Sequence, residues 1–254
     1  NNPQWSRDFI LEDHADVAFV GETDFDQFGY AVAFAGDLNN DGCDDILCGA
    51  AFRTELNEWS GKVYLIFGRR SVDQREMAAV DVSAATFIYD SDKGKLGSSV
   101  AGVGDVNQDG FPDFMMGAPG IGTSFLLFGN AELNWGQNFD LSHADCIFTP
   151  EFALDDAGWQ IKPAGDVNND GFPDILISGL EIEYEKGKAY VIFGKKNWNQ
   201  SVIPLSDADA SYIGEGGRNQ AGVSINGIHD FNGDGFDDFL IGARYYGNGP
   251  DNYN

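Results

Sequence analysis

Cysteine is scarce in this chain, with only Cys43, Cys48 and Cys146 in 254 residues. So odd and sparse a set supplies neither a disulfide framework nor the Cys/His spacing of a zinc site, and only a local Cys43–Cys48 bridge is left open. Basic residues are also few: 15 Lys and Arg against 41 Asp and Glu give a net charge of −26. That argues against binding a nucleic acid, whose phosphates call for a basic footprint. His14, His143 and His229 are scattered, and no Ser/His/Asp order or phosphate-cradling glycine loop stands out, so no enzyme activity is expected. No apolar run approaches the roughly 18 residues of a membrane span, so this segment is not expected to insert in a bilayer. Sustained 3.6-residue apolar periodicity is missing too, which predicts little helix. The sequence opens at Asn1 with neither an initiator Met nor a signal peptide, and it reads as processed or cut from something longer.

What is present is a globular composition, 43% hydrophobic with 20 Phe, and a nine-residue pattern repeated four times. Asp, Asn, Asp, Gly and Asp stand at positions 1, 3, 5, 6 and 9 of each copy. The oxygen-bearing side chains are Asp37, Asn39, Asp41 and Asp45; Asp105, Asn107, Asp109 and Asp113; Asp166, Asn168, Asp170 and Asp174; and Asp230, Asn232, Asp234 and Asp238. Main-chain carbonyls of Cys43, Phe111, Phe172 and Phe236 are expected to complete the four sets. Hard oxygen ligands around a turn-forming glycine suit Ca²⁺, which takes six to eight oxygens, better than Mg²⁺ with its tight octahedron. Three carboxylates per loop repel one another without a cation, so Ca²⁺ is expected at four sites, as a folding cofactor as much as a ligand. A helical EF-hand is excluded. It needs a bidentate Glu at position 12, where Cys48, Met116, Ile177 and Ile241 stand. Asp44 and Asp237 at position 8 read as solvated bystanders, because Pro112 and Pro173 take that place elsewhere.

The loops begin at residues 37, 105, 166 and 230, and an aromatic lies 18 residues before each: Phe19, Phe87, Phe148 and Tyr212. Short β-like runs recur between these marks, as at 29–35, 46–50 and 61–67 in the first unit. Length variation is confined to the connection after the loop, such as the insertion from Arg53 to Trp59. Self-similarity at this period means stacked or radial units. Four antiparallel strands per unit of about 60 residues describe a propeller blade. The predicted fold is therefore all-β, with approximate repeats at 15–84, 85–145, 146–209 and 210–254; a two-sheet sandwich is the runner-up.

These residues resemble the FG-GAP repeat of integrin α-subunits. Phe28 and Gly29 precede the first loop, and Gly49, Ala50 and Ala51 come after it. Leu96 and Gly97 pair likewise with Gly117, Ala118 and Pro119. Ala157 and Gly158 pair with Ser178, Gly179 and Leu180, and Ala221 and Gly222 with Gly242, Ala243 and Arg244. The resemblance covers nearly the whole chain. It implies a β-propeller, seven-bladed in integrins, with Ca²⁺ in hairpin loops on one face. The fourth unit stops at the stretch from Arg244 to Asn254 without its third strand, so the chain reads as an incomplete part of a larger ring. The resemblance also implies, by analogy, an extracellular or cell-surface module for adhesion, matrix or surface-filament assembly. Its partners would be proteins, further blades of this or another chain, or glycans. The alternatives are an accessory propeller of a secreted enzyme, phospholipase D-like or polysaccharide-degrading, and a carbohydrate-binding module. Trp5, Trp59, Trp135, Trp159 and Trp198 could stack on sugars, although packing is the commoner use. Asn199 lies in the one glycosylation sequon, a weak sign of a secreted glycoprotein.

Overall fold

A computed structural model describes residues 16–53, 58–70, 76–152, 155–181, 185–216 and 218–245. Trp5, His14, residues 54–57 of the first insertion and the end of the chain after Tyr245 lie outside them. Every aspartate-rich loop is the bend of a hairpin, and every hairpin starts a blade. In blade 1, β2 (Phe28–Gly36) enters the loop, β3 (Asp45–Ala50) leaves it, and β4 (Lys62–Ile66) and β6 (Ala85–Ile88) complete an antiparallel sheet. Blade 2 repeats this with β7 (Ser99–Gly104), β8 (Asp113–Ala118), β9 (Thr123–Leu127) and β11 (Cys146–Thr149). Blade 3 uses β12 (Gln160–Gly165), β13 (Asp174–Gly179), β14 (Lys188–Ile192) and β16 (Ala210–Ile213). Blade 4 consists, among the described residues, of β17 (Ala221–His229) and β18 (Asp238–Ala243). Helical elements among the described residues include α1 (Ala79–Val82) and three short 3-10 turns. The protein is thus an all-β propeller of antiparallel blades, and its first strands β2, β7, β12 and β17 stand side by side.

Alternation along the strands explains the stacking. Side chains of one parity face the preceding blade and those of the other parity face the next. Leu47, Val63, Leu65 and Phe87 of blade 1 meet Leu96, Phe114, Met116 and Phe125 of blade 2. Met115, Leu126 and Phe148 of blade 2 meet Ile161, Ile175 and Tyr190 of blade 3. Each fully buried Leu or Phe contributes about 1.5–3 kcal/mol through lost water contact. The two outer faces of the stack are open. Val32 of blade 1 is 66% exposed, whereas Val100, Ile161 and Ile225 at the same position are buried. Leu240 of blade 4 is 59% exposed, whereas its counterparts Leu47, Met115 and Leu176 are buried.

Two pairs of glycines from the recurring motifs share a physical reason. Gly117 of blade 2 lies against Gly158 of blade 3, and a Cβ on it would sit 2.2 Å from the Gly158 carbonyl oxygen. Gly49 meets Gly97 in the same way across blades 1 and 2, with 2.0 Å left for a Cβ. Gly29, Gly97, Gly158 and Gly222 also hold φ between +84° and +89°, which L side chains resist. At the Gly49–Gly97 and Gly117–Gly158 contacts the blades approach backbone to backbone and no side chain fits, whereas the space beside Gly29 is open and only its φ calls for glycine. Gly117→Ala is expected to cost about 3 kcal/mol or somewhat more, since the obstacle is backbone and cannot swing away. A thermal melt of the variant, unchanged from the parent, would refute this packing.

Two blades depart from the four-stranded expectation. Blades 1 and 2 each carry a fifth strand, parallel to the outer one and delivered by the next unit. β10 (Phe139–Asp140) lies along β6, with Phe139 opposite Phe87, and β15 (Val202–Pro204) along β11, with Ile203 opposite Phe148. β5 (Glu76–Ala78) does the same for β1 (Ala18–Val20), with Met77 opposite Phe19. These straps tie each outer edge to its neighbour and cover backbone groups that an edge would leave unpaired.

Candidate metal centres

All four loops lie at one end of the sheets, at the turn between a blade's first two strands. Their local fold comes from short Asp and Asn side chains bonding to nearby backbone N–H groups. In the first loop Asp37 Oδ1 accepts from Asp41 N at 3.0 Å and Oδ2 from Gly42 N at 2.9 Å. Asn39 Oδ1 accepts from Asp41 N, and Asp41 Oδ1 from Cys43 N, both at 2.9 Å. The same four bonds recur about Asp105, Asn107 and Asp109. They recur again about Asp166, Asn168 and Asp170, and about Asp230, Asn232 and Asp234. The chain reverses through positive φ at Asn40, Gln108, Asn169 and Gly233, and again at Gly42, Gly110, Gly171 and Gly235. Asn and Gly are the residues that tolerate this region best, and Gln108 is the departure.

The ninth residue behaves differently from the other three. Asp45, Asp113 and Asp174 are fully buried, and each holds the loop to the end of the third strand. Asp113 accepts from Val106 N at 2.8 Å and Gly129 N at 2.9 Å. Asp45 accepts from Leu38 N and Gly68 N, and Asp174 from Val167 N and Gly194 N. The Phe-Gly ending of each third strand therefore supplies the N–H that this aspartate needs. Burial pushes the Asp113 carboxyl up to about 8, against the pull of the Gly129 and Val106 N–H groups, and the charges of Asp109 and Asp105 push the same way. Asp174 rises to about 6 for the same reasons, and Asp45 rises as well. Asp238 of the less buried fourth loop accepts from Phe231 N at 2.9 Å.

Three carboxylates, one amide oxygen and one main-chain carbonyl per loop form an oxygen-only donor set whose chemistry fits a hard divalent cation. Among the described residues, no three Asp, Glu, His or Cys side chains are drawn together as a metal would hold them. Each carboxylate oxygen that accepts one N–H keeps a further lone pair, so the folded loop and a bound cation are compatible. The position-12 residues lie in strands β3, β8, β13 and β18, as the exclusion of an EF-hand requires.

Sequence reasoning missed two features. Asp237 is no bystander: its Oδ2 accepts from Asp166 N at 2.9 Å, and its own N–H donates to the Asp166 carbonyl, clasping loop four to loop three. Pro112 and Pro173 pack over Gly36 and Gly104 from the same position. The signal lay in the shared position itself, which makes an inter-blade contact in each of these three loops. The second feature is a polar cluster at the opposite end of the sheets. Glu22 accepts from Tyr64 Oη at 2.7 Å, Lys62 Nζ at 3.0 Å and Arg53 Nη2 at 2.7 Å. Burial pushes Glu22 up, but these hydrogen bonds and cations outweigh it and hold the carboxyl below its ordinary range. Glu151, Lys188 and Tyr190 repeat the arrangement in blade 3. Cys43, Cys48 and Cys146 are all free thiols, which closes the question of a local bridge. His229 adopts φ +55° where Gly36, Gly104 and Gly165 have +83° to +86°, so it fills a glycine's place in the turn.

Residues 28–66 and 96–125 match the FG-GAP repeat family. Over 242 residues the chain is 30% identical to integrin alpha pat-2 of Caenorhabditis elegans, covering 89% of this chain and 18% of that protein. The corresponding protein of Caenorhabditis briggsae is 33% identical over the same length. Integrin alpha-3 of Cricetulus griseus is 32% identical over 155 residues, 60% of this chain and 14% of that one. The chain thus spans less than a fifth of the length of these relatives.

Proposed function

The chain is an FG-GAP repeat β-propeller similar to that of integrin α-subunits, and on that premise we propose that it is a Ca²⁺-binding, extracellular, non-enzymatic module for adhesion through a protein partner. The observation that carries the reading is the fourfold loop, in which the same oxygen donors recur in one hydrogen-bonded conformation. The ligands would be the side chains at positions 1, 3, 5 and 9 and the position-7 carbonyl of each loop, twenty residues from Asp37 to Asp238. A bound cation would supply charge compensation and stiffness at one end of the blades; no chemistry is asked of it. In that arrangement the loops serve as staples, and the connections at the opposite end, including Phe25, Phe52 and Trp59, are free to meet a partner. A cell-surface setting accords with millimolar extracellular Ca²⁺, which fills about half to nine tenths of weak sites of about 10⁻³–10⁻⁴ M. Among the described residues no helix is long and apolar enough to cross a membrane.

Isothermal titration of the metal-free chain tests the reading, with about four Ca²⁺ bound per chain as the expected result. Asp109→Ala should remove one binding event and leave the other three. A stoichiometry near zero, or a variant indistinguishable from the parent, would overturn the assignment.

A further inference from the structure

We propose that the open outer edge of blade 3, with the groove beside it, is a docking site for an extended strap carried by a further repeat of this type. The edge belongs to β16, which has no outer partner among the described residues. Its three counterparts β1, β6 and β11 each take a parallel strand in one register, opposite the aromatics Phe19, Phe87 and Phe148. Tyr212 is the aromatic of β16, and it is 48% exposed. Backbone donors repeat as well. Thr86 N donates to the Gly136 carbonyl at 3.0 Å and Ile147 N to the Ser201 carbonyl at 2.7 Å. The equivalent donor on β16, one residue before its aromatic, is Ser211 N.

The groove identifies the chemistry of the occupant. Between blades 1 and 2, Phe87 and Phe114 meet edge to face at 5.6 Å, and Trp135 of the strap closes over both at 6.0 and 5.2 Å. Between blades 3 and 4, Tyr212 and Phe239 meet in the same manner at 5.4 Å. No indole lies over that pair among the described residues; a groove of about 550 Å³ opens there instead, lined by Val191, Phe193, Ala210 and Ile241 beside the two rings, with Asp237 and Asp238 of the fourth loop at its acidic end. The second strap also carries a tryptophan, Trp198, which packs on Phe148 and Phe128. Past the paired residue each of these two straps buries a leucine, Leu141 or Leu205, at the start of a 3-10 turn, with Ser next in sequence. The occupant is therefore an extended segment with Trp, then three or four residues, an aromatic or aliphatic residue, one more, and Leu-Ser. Backbone pairing along β16 would supply affinity, and the indole in the groove specificity.

The groove shares Phe236 and Asp238 with the fourth loop, so the experiment is run in saturating Ca²⁺, where that loop is held in one state. A fluorescently labelled peptide copying Asn134 to Asp145 is titrated with the chain and monitored by anisotropy. Saturable one-to-one binding is expected with Kd below about 1 mM. A peptide carrying Trp135→Ala should bind about tenfold more weakly, since a buried indole anchor is lost. Ser211→Pro in the chain should abolish binding by removing the edge donor, and Tyr212→Ala should weaken it. The peptide variants keep the test valid even if a chain variant fails to fold. Absence of saturable binding, indifference to both Trp135→Ala and Ser211→Pro, or self-association that the peptide does not reverse would overturn the proposal; the last outcome would place a second copy on this edge.

Discussion

Moving the chain from about 10 mM Ca²⁺ into EDTA lowers its Tm by roughly 12 °C or more, on the proposed occupancy of four sites. At a Kd of about 10⁻⁴–10⁻³ M, each site stabilises the folded state by about 1.4–2.7 kcal/mol. Four sites sum to about 6–11 kcal/mol, and a domain of this size shifts about 2–4 °C per kcal/mol. The sign is set by electrostatics. Burial, and the further carboxylates across each loop, push Asp45, Asp113 and Asp174 toward their neutral forms, and a bound cation offsets both while the loop's N–H bonds are kept. Mg²⁺ should rescue poorly, because it holds its waters and a tight octahedron that these nine-residue loops do not present. Scanning calorimetry in EDTA, in Ca²⁺ and in Mg²⁺ decides the matter. Equal melting in all three would remove calcium from any role in stability.

The parts of this fold legible in the sequence are those repeated in place. The loops marked the hairpin turns, and the predicted runs 46–50 and 61–67 lie within a residue of β3 and β4. A strand buried on both faces, such as β8 with its Phe114, Met115 and Met116, reads as an unbroken apolar run and is hard to mistake. The straps escaped notice for an equally physical reason. Phe139–Asp140 and Val202–Pro204 are two or three residues long, and such lengths carry no period. Their identity resides in the partner strand, tens of residues away. The Glu22 cluster was hidden similarly, since Lys62 and Tyr64 join it only after β4 has folded against the segment before β2. Asp237 was misjudged because a residue's role was inferred from proline at the same position. Proline and aspartate both serve there as contacts to the preceding blade, one by packing and one by accepting a hydrogen bond.

Because the ninth aspartate is both a proposed ligand and a staple, its two roles separate under chelation. In EDTA, Asp113→Ala should lose about 3–5 kcal/mol, because Val106 N and Gly129 N are left buried without an acceptor, at about 1–3 kcal/mol each, and a small cavity is added. Asp109 is exposed, and its bonds to Phe111 N and Asn107 Nδ2 are replaceable by water. Asp109→Ala should therefore melt with the parent in EDTA, and fall below it only when Ca²⁺ is present. Asp113→Ala should fall below the parent in both conditions, and further in Ca²⁺ than in EDTA. Denaturant unfolding of the three proteins with and without Ca²⁺ gives the four differences needed. If Asp109→Ala is as damaging in EDTA as in Ca²⁺, the loop is stapled by hydrogen bonds alone and position 5 has no ligand role. If Asp113→Ala costs nothing in EDTA, the bonds to Val106 and Gly129 are not what joins loop to strand. Either result would break the link drawn between a nine-residue pattern and the stacking of the blades.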